Sequence, residues 1–127
     1  MPRETQRKGD IATARALATF TARGADVSVP FTESAAYDLI VDDGDGLHRV
    51  QCKYAATREV GLRRIHSNSS GYVVKRVEPN SYDWLYVLRP DGSEYLIKEC
   101  HAGRSYVTLR AHHLLGAVAE SGLTQLP

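Results

Sequence analysis

Residues 37–53 read YDLIVDDGDGLHRVQCK. Two runs in which apolar and polar residues alternate flank Asp43-Gly44-Asp45-Gly46, the pattern of a β-hairpin. Setting Leu39 opposite Val50 and Val41 opposite His48 places Asp38 directly across from Gln51. Side chains alternate along a strand, so Asp38, Gln51 and Lys53 share one face. Leu39, Val41, Val50 and Cys52 take the other, toward the core. Opposed residues hold their Cβ atoms about 5 Å apart and diagonal neighbours about 7–8 Å. A carboxylate, an amide oxygen and an ammonium therefore converge. Register is the premise, because a one-residue slip would flip the set.

The whole chain of 127 residues suits one domain, residues 1–127, with a core that needs no staple. The net charge of +1 points to no partner, but its distribution is uneven. Residues 26–46 carry six acids and no Lys or Arg, whereas residues 53–76 carry six bases against Glu59 alone. Such a pair of patches suits a metal site beside a polyanion-binding surface, and equally two solvated faces that attract each other. Cys52 and Cys100 lie in no zinc spacing and read as free thiols. No apolar run is long enough for a transmembrane helix. MPRETQRKGD has no apolar stretch of a secretory signal, so an intracellular, cytoplasmic location is expected.

Along the chain, residues 1–7 are polar and are expected to be flexible. A helix is predicted from Lys8, with Asp10 as a cap or first-turn residue. Its apolar stripe is Ile11, Ala14, Leu17, Ala18 and Thr21, and Gly24 is its stop. DVSVP reads as a strand, FTESAA as a connector and 55–70 as irregular. GYVVKRV is a further strand. DWLYVLRP and SEYLIKEC form a second hairpin around Pro90-Asp91-Gly92. HHLLGAVAE reads as a closing helix. Tyr72, Tyr82, Trp84, Tyr86 and Tyr95 are expected to pack on the sheet. On a helix, His112 and His113 would diverge by about 100°. A central mixed sheet flanked by helices is the expected architecture.

Taken alone, the Asp38, Gln51 and Lys53 triplet is either a cross-strand ion pair or a metal site. The ion pair would be worth about 0.2–1 kcal/mol. Magnesium takes oxygen ligands, and Asp38, the Gln51 side chain and the backbone carbonyl of Cys52 would supply three. Lys53 would then stabilise charge developing on a phosphate, or orient or deprotonate the attacking water.

Asp, a hairpin turn and Gln-x-Lys resemble the PD-(D/E)xK nuclease signature with Gln in the second acidic position. The stretch KGDIATARALATFTARGADVSVPFTESAAYDLIVDDGDGLHRVQCKYA resembles the group I intron-associated PD-(D/E)xK endonucleases. SYDWLYVLRPDGSEYLIKE resembles their second hairpin, so the likeness spans about residues 8–100. It implies an α/β restriction-endonuclease-like fold and Mg2+- or Mn2+-dependent hydrolysis of DNA phosphodiesters leaving a 3′-hydroxyl. Asp38 matches the metal-binding Asp, Gln51 the variant acid and Lys53 the catalytic Lys. Where that family carries a Glu on its first helix, this chain has Thr13. Asp10 or Glu33 would be the compensating carboxylates, and Thr13 could hold a metal-bound water.

The basic stretch adds a DNA-contact expectation. Arg58, Arg63, Arg64, Lys75 and Arg76 would meet phosphates, with Ser67, Asn68, Ser69 and Ser70 as short donors that position rather than specify, and His66 as a phosphate contact or an auxiliary acid. Double-stranded DNA is the expected partner, with no membrane. A domain this small cuts one strand per site, so a homodimer or homotetramer is expected, its interface built by Leu114, Leu115 and Val118. Two other functions stay open: a Holliday junction resolvase, and a DNA-binding protein on a nuclease scaffold without catalysis.

Overall fold

The structure, a computed structural model, describes residues 2–62, 64–68, 71–75 and 80–116. Helix α1 spans Pro2–Ala22. It begins six residues before Lys8, because Pro is tolerated in a first turn and Glu4 faces the positive helix end there. Asp10 therefore sits in mid-helix and caps nothing. The buried face is Ala12, Ala16, Thr19 and Phe20, not the predicted stripe, whose Ile11 and Leu17 remain 47% and 39% exposed. Two alanines let the helix lie close to the sheet, and Phe20 fills the space beyond them.

Six strands form the central sheet: β1 (Asp26–Ser28), β2 (Leu39–Asp42), β3 (Leu47–Tyr54), β7 (Trp84–Leu88), β8 (Glu94–Ile97) and β10 (Leu114–Gly116), in the order β1-β2-β3-β7-β8-β10. β3 and β7 run parallel and the other pairs antiparallel. The mixed sheet is the expected one, and so is the β2–β3 register, with Leu39 opposite Val50 and Val41 opposite His48. The Asp43–Gly46 turn is closed by its own acids. Asp42 Oδ1 accepts from Gly44 N at 3.0 Å, and Asp43 Oδ1 from Asp45 N at 2.9 Å and Gly46 N at 3.2 Å. Gly44 takes φ 93°, a conformation open to glycine. Asp42 and Asp43 are thus turn caps, which accounts for two of the six acids in the acidic patch.

The sheet separates two cores. On the α1 side Leu39, Val41, Val50, Cys52, Trp84 and Tyr86 pack against Ala12, Ala16 and Phe20. On the other side Leu85, Val87 and Ile97 meet Tyr82, Val107 and Leu109. No second helix covers that face among the described residues. A two-stranded ribbon of β4 (Glu59–Gly61) and β9 (Tyr106–Thr108) does so. Residues 55–70, expected to be irregular, thus hold β4 and also β5 (Arg64–Asn68). β5 pairs with β6 (Gly71–Lys75) in a separate hairpin, outside the central sheet.

The closing helix is absent over its described part. Ala111–His113 form a 3₁₀ turn and Leu114–Gly116 add an edge strand to β8, while 117–120 lie outside the described residues. Gly116 and the open edge of β8 favour a strand there. His112 and His113 consequently stay in ring contact, with centroids 4.1 Å apart. Tyr82, Trp84 and Tyr86 are buried as expected. Among the described residues no helix is long and apolar enough to cross a membrane.

Candidate active site

β2 ends its ladder at Leu39, so Asp38 stands where the strand gives way to the connector. Its N–H still donates to the Val50 carbonyl at 2.8 Å. Its carboxylate turns to β3, where Oδ2 accepts from Cys52 N at 2.8 Å and from Gln51 Nε2 at 3.2 Å. One oxygen is thus fixed by backbone and side chain together. The next residue on that face is Lys53, half-buried, opposite Val87 of β7 as Gln51 is opposite Leu85. The structure brings Asp38, Gln51 and the Cys52 backbone together and keeps Lys53 on the Gln51 side of the sheet.

From the opposite side comes α1. Thr13, Asp10 and Glu33 line one cavity of about 370 Å³ with Asp38 and Tyr37. The Thr13 hydroxyl donates to the Gly9 carbonyl at 3.1 Å. Its oxygen also lies near Cys52, whose thiol is pushed well up by burial and by the Asp38 charge. A thiol held neutral is inert, so Cys52 is core and not a nucleophile. Phe31, wholly exposed, and Val29 stand on the same cavity. The sequence reading put Val29 in the DVSVP strand and Phe31 in the connector and gave neither a role, although an aromatic after Pro30 in a polar loop is a visible signal.

Below the site, Arg49 and Asp83 clamp β3 to the start of β7. Asp83 Oδ2 accepts from Arg49 N at 2.8 Å and Nε at 3.1 Å, and Oδ1 from Nη2 at 3.2 Å. That guanidinium holds the Asp83 carboxyl below the usual range. A buried acid, Glu94, joins α1 to β8. Its Oε1 accepts from Thr19 Oγ1 at 2.5 Å and Tyr86 Oη at 2.7 Å, and Arg15 Nη2 lies 3.8 Å from Oε2.

Of the expected DNA contacts, Arg58 is exposed beside the ribbon. Arg64, His66, Ser67, Asn68 and Lys75 fall on the β5–β6 hairpin, where Arg64 pairs with Lys75 and Asn68 with Gly71. Arg63, Ser69, Ser70 and Arg76 lie outside the described residues. The part of this group expected in a loop, Arg64, His66, Ser67 and Asn68, is therefore a strand of a separate two-stranded ribbon.

A mixed sheet with one packed helix, and an Asp and a Gln-x-Lys gathered on its central hairpin, define a restriction-endonuclease-like nuclease. A family model described as PD-(D/E)XK endonuclease matches residues 3–113, and the chain belongs to that family. DNA is the substrate class that membership implies. Among solved structures, that of a bacterial homing endonuclease, I-Ssp6803I, superimposes with a TM-score of 0.69 at 23% identity. The match covers 84% of this chain and 78% of that one, and it shows the shared fold. Comparison with curated proteins gives no match.

Proposed function

We propose that the protein is a divalent-cation-dependent, homing-type DNA endonuclease that works inside the cell, with Asp38, Gln51 and Lys53 as its catalytic set. The observation that carries this reading is the Asp38 carboxylate held by the Cys52 N–H and the Gln51 amide, with Lys53 next on the same face. The donors suit a hard cation, being carboxylate, side-chain amide and the backbone carbonyl of Cys52. Among the described residues no three Asp, Glu, His or Cys side chains group tightly enough to hold a metal by themselves. Magnesium or manganese would therefore rest on Asp38, Gln51 and Cys52, with Asp10 and Thr13 reaching it through water. When bound, the cation would supply Lewis acidity and a more acidic water.

The chain's own groups do the rest. Lys53 places a positive charge where the phosphate gains negative charge, a contribution of about 10²–10³ in rate for one well-aimed donor. Asp38, fixed through Oδ2, keeps its position without reorganising. The basic β5–β6 hairpin and Arg58 give the duplex phosphates their contacts. Cutting both strands requires two such sites, so the working form is a homodimer or homotetramer. Ile11 and Leu17, exposed on the outer side of α1, offer it an apolar face.

Supercoiled-plasmid nicking with magnesium or manganese tests the reading. The wild type should cleave, leaving a 3′-hydroxyl, and Asp38→Ala and Lys53→Ala should not. Cleavage that survives Asp38→Ala refutes the site, and cleavage confined to four-way junctions would make the enzyme a resolvase. Thr13, which stands where the related nucleases carry a helical Glu, favours one second reading: a DNA-binding protein without catalysis. Tight binding with no cleavage by the wild type would select it.

A further inference from the structure

Away from Asp38, the segment after β8 folds against β9 and leaves a polar groove of about 620 Å³. Glu99, His101, Arg104, Tyr106, Arg110 and His112 line it. Arg104 and Arg110 are exposed, and among the described residues neither guanidinium has an acidic partner. His101 is largely buried, with Nε2 3.6 Å from Glu99 Oε1 and Nδ1 buried without a hydrogen-bond partner. The hydroxyls of Ser105 and Thr108 complete the lining. With His113 also on the lining, three histidines suggest a metal, but among the described residues no three such ligands are grouped to hold one. Guanidinium forks, imidazole N–H and hydroxyls are instead the donor set of a phosphodiester site.

Position ties this groove to the cleavage site. Leu109 N donates to the Arg58 carbonyl at 2.8 Å, which brings the Arg58 backbone up to Leu109, the residue before the groove's Arg110. Arg58 is five residues beyond Lys53, and five residues span at most about 18 Å. Along B-DNA that distance covers about five phosphates of one strand at 3.4 Å each. A duplex seated at Asp38 can therefore reach the groove within roughly half a helical turn.

We infer that the Arg104–Arg110 groove binds the DNA backbone flanking the cleaved phosphate, as a second contact separate from the catalytic hairpin. This rests on the nuclease reading for the location of the duplex, but not on cleavage.

The test is fluorescence anisotropy of a labelled duplex, without divalent cation, against wild type and the Arg104→Ala/Arg110→Ala double variant. Each phosphate contact contributes about 0.9 to the slope of log K against log salt. Losing two should flatten the slope by about 1.8 and weaken binding at least tenfold near 0.1 M salt. Arg104→Lys/Arg110→Lys keeps both charges and should recover most of the slope, which a folding defect would not. An unchanged slope in the double Ala variant overturns the inference. So does saturation of the groove by inorganic phosphate, followed by NMR shifts of its histidines, with duplex binding intact, which would make it a free-anion site. If the wild type nicks no plasmid while the slope still falls, the nuclease reading fails and the groove stands.

Discussion

Glu94 is wholly buried, and its replacement tests how α1 is held to the sheet. Glu94→Leu removes the acceptor that serves Thr19 Oγ1 and Tyr86 Oη and leaves both hydroxyls buried. Tyr86 donates firmly, because burial and the adjacent carboxylate push its pKa up. Each stranded donor costs about 1–3 kcal/mol, so the single variant should lose roughly 2–6 kcal/mol. The expected shift in Tm is on the order of 10 °C. Arg15, 31% exposed, can turn to water, so its loss adds little. The triple variant Glu94→Leu/Thr19→Val/Tyr86→Phe removes every member of the network at nearly constant shape. It should recover most of the loss, since replacing both partners by apolar groups is close to neutral. Urea unfolding followed by the fluorescence of Trp84, packed 6.1 Å from Phe20, reads both. A single variant within about 1 kcal/mol of wild type would refute the reasoning, as would a triple variant no more stable than the single.

Four further outcomes are expected. Asp38→Asn should keep an oxygen for Cys52 N–H and fold within about 1 kcal/mol of wild type, yet lose cleavage, whereas Asp38→Ala should also lose about 1–3 kcal/mol by stranding that N–H; thermal melts beside plasmid nicking check both. Thr13→Glu places a carboxylate on the cavity that holds Asp38, and should lower the magnesium concentration for half-maximal nicking. Asp83→Asn should cost about 0.5–1 kcal/mol at neutral pH, discounted for its 40% exposure. Because the folded Asp83 pKa is depressed, this difference is present above the unfolded value near 3.8 and vanishes as pH falls through the lower folded one, which urea titrations at successive pH values would show. Ile11→Lys/Leu17→Lys charges the outer face of α1 and, if the proposed oligomer forms through it, should shift the protein to monomer in light scattering.

The β2–β3 hairpin was legible because two runs of strand-forming residues, with Leu39, Val41, Val50 and Cys52 able to share one apolar face, flank a glycine turn. The second hairpin was legible for the same reason, with Gly92 at φ 86° in the predicted turn. Other features carry no local signal. β4 and β9 are three residues each and exist because they cover Leu85 and Val87. Their pairing joins residues nearly fifty apart, beyond the reach of any periodicity. Glu94 opens a strand after a polar turn and reads as a solvent residue until Thr19 and Tyr86 are brought to it from two other elements. The α1 face misled because alanine is apolar enough for either side. The sheet selected Ala12 and Ala16, whose small size permits close approach, over the bulkier Ile11 and Leu17. Of the candidate site, residue types and register were readable, whereas the cavity uniting Asp38 with Thr13, Asp10 and Glu33 depends on how the helix crosses the hairpin.

The polar face of that hairpin is specified by the apolar one. Slipping β3 by one residue would turn Val50 and Cys52 toward the polar side and break their packing with Leu39, Val41, Trp84 and Tyr86. At about 1.5–3 kcal/mol for each side chain exposed, the loss is roughly 3–6 kcal/mol, a large share of the whole stability of a domain. The hydrogen bond between Gln51 and Asp38 is worth only about 1 kcal/mol and could not hold the register by itself. Substitutions at Gln51 or Lys53 should therefore change chemistry and leave the strand where it is. A substitution such as Val50→Asp, remote from any substrate, should abolish activity by moving the strand. Cleavage lost in Lys53→Ala with an unchanged melt, beside cleavage lost in Val50→Asp together with the cooperative melt, is the pattern this division of labour requires.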